Sequence, residues 1–109
     1  MVYKVTARLR PGVADTFLER LTDGTIAAQK PDGQEIVDSM RRAVIDDSGD
    51  VAWSELCYCP TPLAHERHTV LDHFFDDLTT EEIDAHEVYV GRSLMAHLEA
   101  LANEESPGG

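Results

Sequence analysis

The sequence predicts an α+β domain, an antiparallel sheet with helices on one face and an extra helix at the C-terminal end. Three observations carry this. The first ten residues alternate apolar and polar, residues 46–50 have hairpin-loop chemistry between two strand-like runs, and an amphipathic stretch begins at Pro62 just after a proline break.

Tyr3, Val5, Ala7 and Leu9 are apolar, while Lys4, Thr6, Arg8 and Arg10 are polar. That period of two marks strand one, with one face buried. Pro11 and Gly12 end it, and Val13, Phe17 and Leu21 recur at helical spacing to at least Thr22. Gly24 breaks that helix, and residues 26–29 could add another helical turn. Pro31, Asp32 and Gly33 signal a turn. The β-branched run EIVDSMRRAVI that follows reads as strand two, both of its faces covered because its alternation is imperfect. DDSGD, residues 46–50, is a hairpin loop with Gly49 free to take a left-handed conformation, and VAWSELCYC is strand three.

Pro60 and Pro62 stop that strand, with Thr61 as N-cap and Pro62 at the first helical position. A helix from Pro62 to about Leu78 follows. Thr79 and Glu82 then have capping-box spacing. Residues 83–90 end in Val-Tyr-Val, which favours a strand, yet Ile83, Val90, Leu94, Leu98 and Leu101 also fit one long helix. The strand is preferred, with a helix over 92–102 burying Leu94, Leu98 and Leu101.

Residues 1–103 make a single domain, and 104–109 read as a disordered tail. A core of this size has little surplus stability, so a second copy would help. With 9 basic against 21 acidic residues and a net charge of −12, the chain is a poor partner for nucleic acid or an anionic membrane surface. The alternation of residues 1–10 lacks a basic stretch followed by an apolar run, so no secretory signal is expected, and no apolar run of about 18 residues could span a bilayer. Cys57 and Cys59, one residue apart on a strand, suit disulfide geometry poorly, which points to free thiols in a reducing cytoplasm.

The order strand, helix, hairpin, helix, strand resembles the ferredoxin-like split βαβ arrangement. The strand YKVTARL, the helix, the turn at residues 31–33 and the hairpin are together similar to the dimeric α+β barrel superfamily. That resemblance, which covers roughly residues 2–90 in pattern, implies a homodimer in which two sheets pack open face to open face. Members include cofactor-independent monooxygenases and isomerases; a fold that hosts many functions does not choose among them.

On a helical wheel Leu63, Ala64, Val70, Leu71, Phe74, Phe75 and Leu78 gather on one face, with Arg67 in its middle. The structural reading lays the Arg67 stem on the core and pairs its guanidinium with a carboxylate such as Glu55 or Glu87. The functional reading, which ranks second, points it into a pocket to bind an anionic group. His65 and His68 at i, i+3, with Asp72 on the same flank, form an alternative metal set near Cys57 and Cys59. The intervening prolines and the one-residue cysteine gap weigh against it, so no metal is expected. His73 and His86, flanked by carboxylates, are general-base candidates that also read as ordinary surface residues. No phosphate loop, Gly-x-Ser-x-Gly elbow or CxxC pair is present. Lys4, Arg8, Arg10, Arg41 and Arg42 concentrate positive charge on the first two strands, where ion pairs with Asp38, Glu55 or Glu87 are preferred over an anion site.

Two readings result. The first is a cytoplasmic enzyme or binder of a small anionic or aromatic molecule, without a cofactor, its site lined by Trp53, Cys57, Tyr58, Arg67 and Arg8. The second is a non-enzymatic module whose acidic surface meets a partner. A cavity with convergent polar groups favours the first, and a closed dry core the second.

Overall fold

The expected alternation at the amino terminus is realised as β1 (Val2–Leu9), in which Tyr3, Val5 and Ala7 are buried and Lys4 and Thr6 lie half-buried on the opposite face. The computed structural model describes residues 1–105. Helix α1 (Ala14–Thr22) follows and buries Ala14, Phe17 and Leu21 at helical spacing. Residues 26–29 form turns, closed by Ala28 N–H to the Gly24 carbonyl and Gln29 N–H to the Ile26 carbonyl, each at 3.0 Å.

The run read as strand two is instead mostly a helix, α2 (Gly33–Arg42). Ile36, Val37 and Met40 lie at i, i+1 and i+4 and are all buried, so a helical stripe outweighs the β-propensity of single residues. Glu35 in the first turn and Arg41 and Arg42 in the last suit the helix dipole. A Cβ at Gly33 would overlap the Ile26 carbonyl, so the helix starts where only glycine lets the preceding turn pack. Two residues remain as a strand, β2 (Val44–Ile45).

The hairpin loop is as expected. The Asp46 carboxylate accepts the Ser48 and Asp50 N–H groups at 2.9 and 3.0 Å, and Gly49 has φ +89°. β3 (Asp50–Leu56) then stops before the cysteines, so Cys57 to Cys59 lie outside the strand that the sequence assigned to them.

The helix expected over 62–78 is shorter and interrupted. It comprises α3 (Ala64–Glu66), a π-helical turn (Arg67–Leu71) and α4 (Asp72–Phe74). Thr61 makes no side-chain cap; its carbonyl accepts the Ala64 N–H at 3.1 Å, and Leu63 starts the helix from φ 56°. Phe75 and Leu78 belong to β4 (Phe75–Ile83). The register between β1 and β4 shifts between Thr6↔Thr79 and Arg8↔Asp76, with Asp77 at φ 55°, so β4 carries one extra residue. That bulge turns both Phe75 and Leu78, three apart, toward the core, which is the spacing that reads as helical.

β4 therefore occupies the strand position expected of 83–90. Residues 84–90 have no regular structure, and Val88 and Val90 are each 99% exposed. Their β-propensity has no use because β1 already pairs on both sides. The segment crosses the sheet face opposite the helices, with the Lys4 ammonium 5.2 Å from the Tyr89 ring centroid and His86 Nδ1 2.8 Å from Ser54 Oγ. β5 (Arg92–Ser93) and α5 (Leu94–Glu105) end the described chain. Leu94 and Leu98 are fully buried and Leu101 partly. The expected tail begins within this helix, and residues 106–109 lie outside the described residues.

The result is an α+β fold with an antiparallel five-stranded sheet in the order β4-β1-β3-β2-β5. Its short second strand and added fifth strand depart from the four-stranded arrangement expected. The core lies under the helices, where Phe17 stacks on Phe74 at 4.3 Å and meets the edge of Phe75, which in turn packs on Trp53 at 5.2 Å. Among the described residues, no helix is long and apolar enough to cross a membrane.

Candidate functional site

Val51, Trp53 and Glu55 alternate along β3 on the helix-covered face, and all three are buried. A carboxyl group is thereby carried into the core. Glu55 Oε1 accepts the Trp53 indole N–H at 2.9 Å, while the buried Oε2 has only the neighbouring Glu66 carboxyl to share a hydrogen with. Burial, with Glu66 adding repulsion against the relief from Trp53, pushes Glu55 well above the usual carboxylate range.

One step beyond the strand, the chain bends at Cys57, whose N–H still reaches the Met1 carbonyl at 2.9 Å. The Cys59 N–H turns back onto Cys57 Sγ at 3.2 Å, and the Leu63 N–H points at the same sulfur. Burial nevertheless pushes the Cys57 thiol up to about 11, against the pull of those amides. Across the loop, α3 delivers Glu66, almost fully buried, with Oε2 3.7 Å from Cys57 Sγ and 3.6 Å from Cys59 Sγ. The two sulfurs and one Glu66 oxygen all lie within 4.8 Å of one another. Among the described residues, Cys57, Cys59 and Glu66 are the three that converge as potential metal ligands.

The cluster opens onto a cleft of about 380 Å³, lined by Pro31, Asp32, Glu35 and Leu56 besides Cys57, Tyr58, Cys59 and Glu66. Glu35 is held there by the Leu56 N–H at 2.8 Å and by Arg42 at 3.3 Å. Asp32 grips His65 Nδ1 at 2.8 Å. The polar side of the cleft is thus acid and thiol, a surface that attracts cations and repels anions.

Of the residues singled out in the sequence, the structure brings Cys57 and Tyr58 to this cleft, Tyr58 being 83% exposed at its rim. Trp53 is fully buried in the core. Arg8 is on the opposite side of the sheet, bonded to Asp50 at 2.7 Å and to the Ser48 carbonyl at 2.8 Å. Arg67 is half-exposed and paired with Asp72 at 2.9 Å, not with Glu55 or Glu87. His65 and His68 line one surface hollow with Lys30 and His73, but the set His65, His68 and Asp72 does not assemble, because Asp72 holds Arg67 and is no part of that hollow and His65 holds Asp32. His73 and His86 are both exposed. Of the five basic residues grouped in the sequence, Arg8 and Arg10 pair with Asp50 and Asp76, Arg42, now on α2, pairs with Glu35, and Lys4 lies over the Tyr89 ring.

Glu55 and Glu66 are the functional candidates that sequence reasoning missed. Glu55 was legible, since it shares the parity of Val51 and Trp53. Glu66 was hidden by the π turn, in which the Asp72 N–H reaches back to the Arg67 carbonyl and widens the helix by one residue. An even wheel places Arg67 on the buried face; the real helix places Glu66 there. In comparisons with known proteins, no family model matches the chain, and neither curated proteins nor solved structures show a match.

Proposed function

We propose that this is a small metal-binding protein whose centre is Cys57, Cys59 and Glu66, suited to a borderline or soft cation of the zinc class. One observation carries the reading. A tetrahedral ion held at about 2.3 Å by sulfur and about 2.1 Å by oxygen has sulfur–oxygen edges of roughly 3.6 Å. The two such edges here are 3.7 and 3.6 Å.

Three features support it. The amide donors converging on Cys57 Sγ are those a thiolate uses, and a bound cation would supply the charge that burial withholds. Glu55 is fully buried against Glu66, and a cation held by Glu66 would offset the repulsion between the two carboxyls. Two thiolates with one carboxylate favour zinc-like ions over magnesium or calcium. Three protein ligands leave a fourth position toward the cleft, so the bound ion is exchangeable or accessible to a small ligand. The carboxylates of the cleft favour a cation over the anionic molecule that the sequence reading preferred, while the small-molecule reading keeps Tyr58 and Leu56 as an apolar wall.

The finer fold reading, a ferredoxin-like sheet that pairs with a second copy, is supported by the central placement of β1 between β4 and β3 and by helices on one face. The added β5 stands outside that pattern. The cytoplasmic expectation rests on the two free thiols.

The test is zinc analysis and cobalt titration of protein purified without an affinity tag. Stoichiometric uptake with a sulfur-to-cobalt charge-transfer band is expected, lost in Cys57→Ser and Cys59→Ser. Uptake well below one ion per chain sinks the reading.

A further inference from the structure

We infer that Cys57 and Cys59 are a dithiol–disulfide couple that a peroxide closes, and that closure discharges the cation from the site. The discharge rests on the metal reading above; the couple itself does not.

A Cys-x-Cys pair locked in a strand would project both side chains from one face at a separation that a disulfide does not span. The structure removes that obstacle. The ladder between β1 and β3 ends at Val2↔Leu56, and the residues beyond fold into a turn in which the Cys59 N–H meets Cys57 Sγ at 3.2 Å. The sulfurs are already within 4.8 Å of each other, and bond formation needs them at about 2 Å. Tyr58 between them is exposed, so its side chain does not anchor the turn in the core. The chain contains only these two cysteines, and both are free.

The two thiols are unequal. Cys59 is half-buried and lines the cleft, open to a small oxidant, whereas Cys57 is 3% exposed. Cys59 is therefore the attacking sulfur and Cys57 the resolving one. Glu66 Oε2 stands 3.6 Å from the first and 3.7 Å from the second, so one carboxylate serves both as proton acceptor.

With hydrogen peroxide as oxidant, Cys59 gives its proton to Glu66 and its sulfur attacks one peroxide oxygen. The S–O bond forms, the O–O bond breaks, and the departing hydroxide takes the proton from Glu66 to leave as water. Cys57 Sγ then attacks the sulfenic sulfur of Cys59. The S–S bond forms, the S–O bond breaks, and hydroxide leaves as a second water with the Cys57 proton. Two thiols have lost two electrons, and one peroxide has become two waters. In the zinc-loaded chain both sulfurs are already thiolates, so the two protons that complete the waters come from solvent; the disulfide sulfurs are poor metal ligands, Glu66 alone remains of the three, and the ion departs.

The experiment treats metal-free and zinc-loaded full-length chain with a small excess of hydrogen peroxide, following free thiols, intact mass and zinc captured by a chromogenic chelator. Both thiols are expected to vanish together with loss of two hydrogens and no added oxygen on either cysteine. Zinc should appear in step, and dithiothreitol should reverse both changes. In Cys59→Ser, oxidation of Cys57 should slow at least about tenfold, and in Cys57→Ser a sulfenic acid on Cys59 should be trapped by dimedone. Sulfinic acids, a cross-linked dimer, or Cys57 reacting equally fast in Cys59→Ser overturns the couple. Zinc retained after the disulfide forms overturns the discharge. If no zinc is taken up beforehand, the metal reading and the discharge fall together, and the metal-free arm still decides the couple.

Discussion

Trp53 Nε1 donates to Glu55 Oε1 at 2.9 Å, two residues along one strand, and neither side chain reaches solvent. The sheet thus places a carboxyl group where only its neutral form is comfortable. A raised folded pKa has a definite sign. As pH rises through the ordinary carboxylate range the unfolded chain ionises first, so Glu55 lowers stability progressively toward neutral pH.

Glu55→Gln should therefore melt close to the parent at pH 4 and higher at pH 8. A gain of about 4 °C or more at pH 8, roughly the effect of 1 kcal/mol on a domain of this size, is expected from metal-free thermal melts. Equal differences at both pH values would mean that Glu55 titrates alike in the folded and unfolded chain, and so is not raised by burial.

Glu66→Gln keeps shape and removes the anionic ligand. Zinc affinity, measured by competition with a chelator, should fall at least about a hundredfold, above the range seen for residues that merely support ligands. Zinc at a hundred times the dissociation constant should stabilise the parent by about 2.7 kcal/mol and leave the variant's melt little changed.

Arg67→Met tests the residue that the wheel put at the centre of the buried face. Its pair with Asp72 is half-exposed, so the loss should be at most about 1 kcal/mol in denaturant unfolding, with zinc affinity unaltered. Loss of zinc binding in a folded Arg67→Met would return Arg67 to the site.

Phe75→Ala removes a ring packed between Phe17 and Trp53 and should cost about 3–5 kcal/mol. Val88→Ser, at a position 99% exposed, should stay within about 0.5 kcal/mol of the parent. The reverse order would place the last long strand at residues 83–90 after all.

What could be read in the sequence was what depends on local chemistry. Tyr3, Val5 and Ala7 alternate because β1 has one dry face, and Asp46 with Gly49 defines its turn by side-chain acceptors and a left-handed backbone. Misreadings arose where two periods compete. Ile36 and Val37 are β-formers that share a helical stripe with Met40, and burial of the stripe prevails. Phe75 and Leu78 are strand residues at helical spacing, because the bulge at Asp77 adds a residue. The site was half legible: its cysteines drew attention, whereas its carboxylates depend on strand parity and on a π turn that leaves no local mark. A histidine cluster was the natural companion for those cysteines, and the fold directs the histidines outward.

Leu63 holds φ 56° with its side chain fully buried, and its N–H points at Cys57 Sγ. The left-handed backbone costs a leucine roughly 1–2 kcal/mol, offset by burying its side chain. Position 63 is therefore a two-sided filter on substitution. Glycine eases the backbone and empties the core, valine or isoleucine partly fills the core and resists the backbone, and either change moves an amide away from the sulfur. The mutational tolerance of the thiol cluster is set in part by a residue that carries no reactive group.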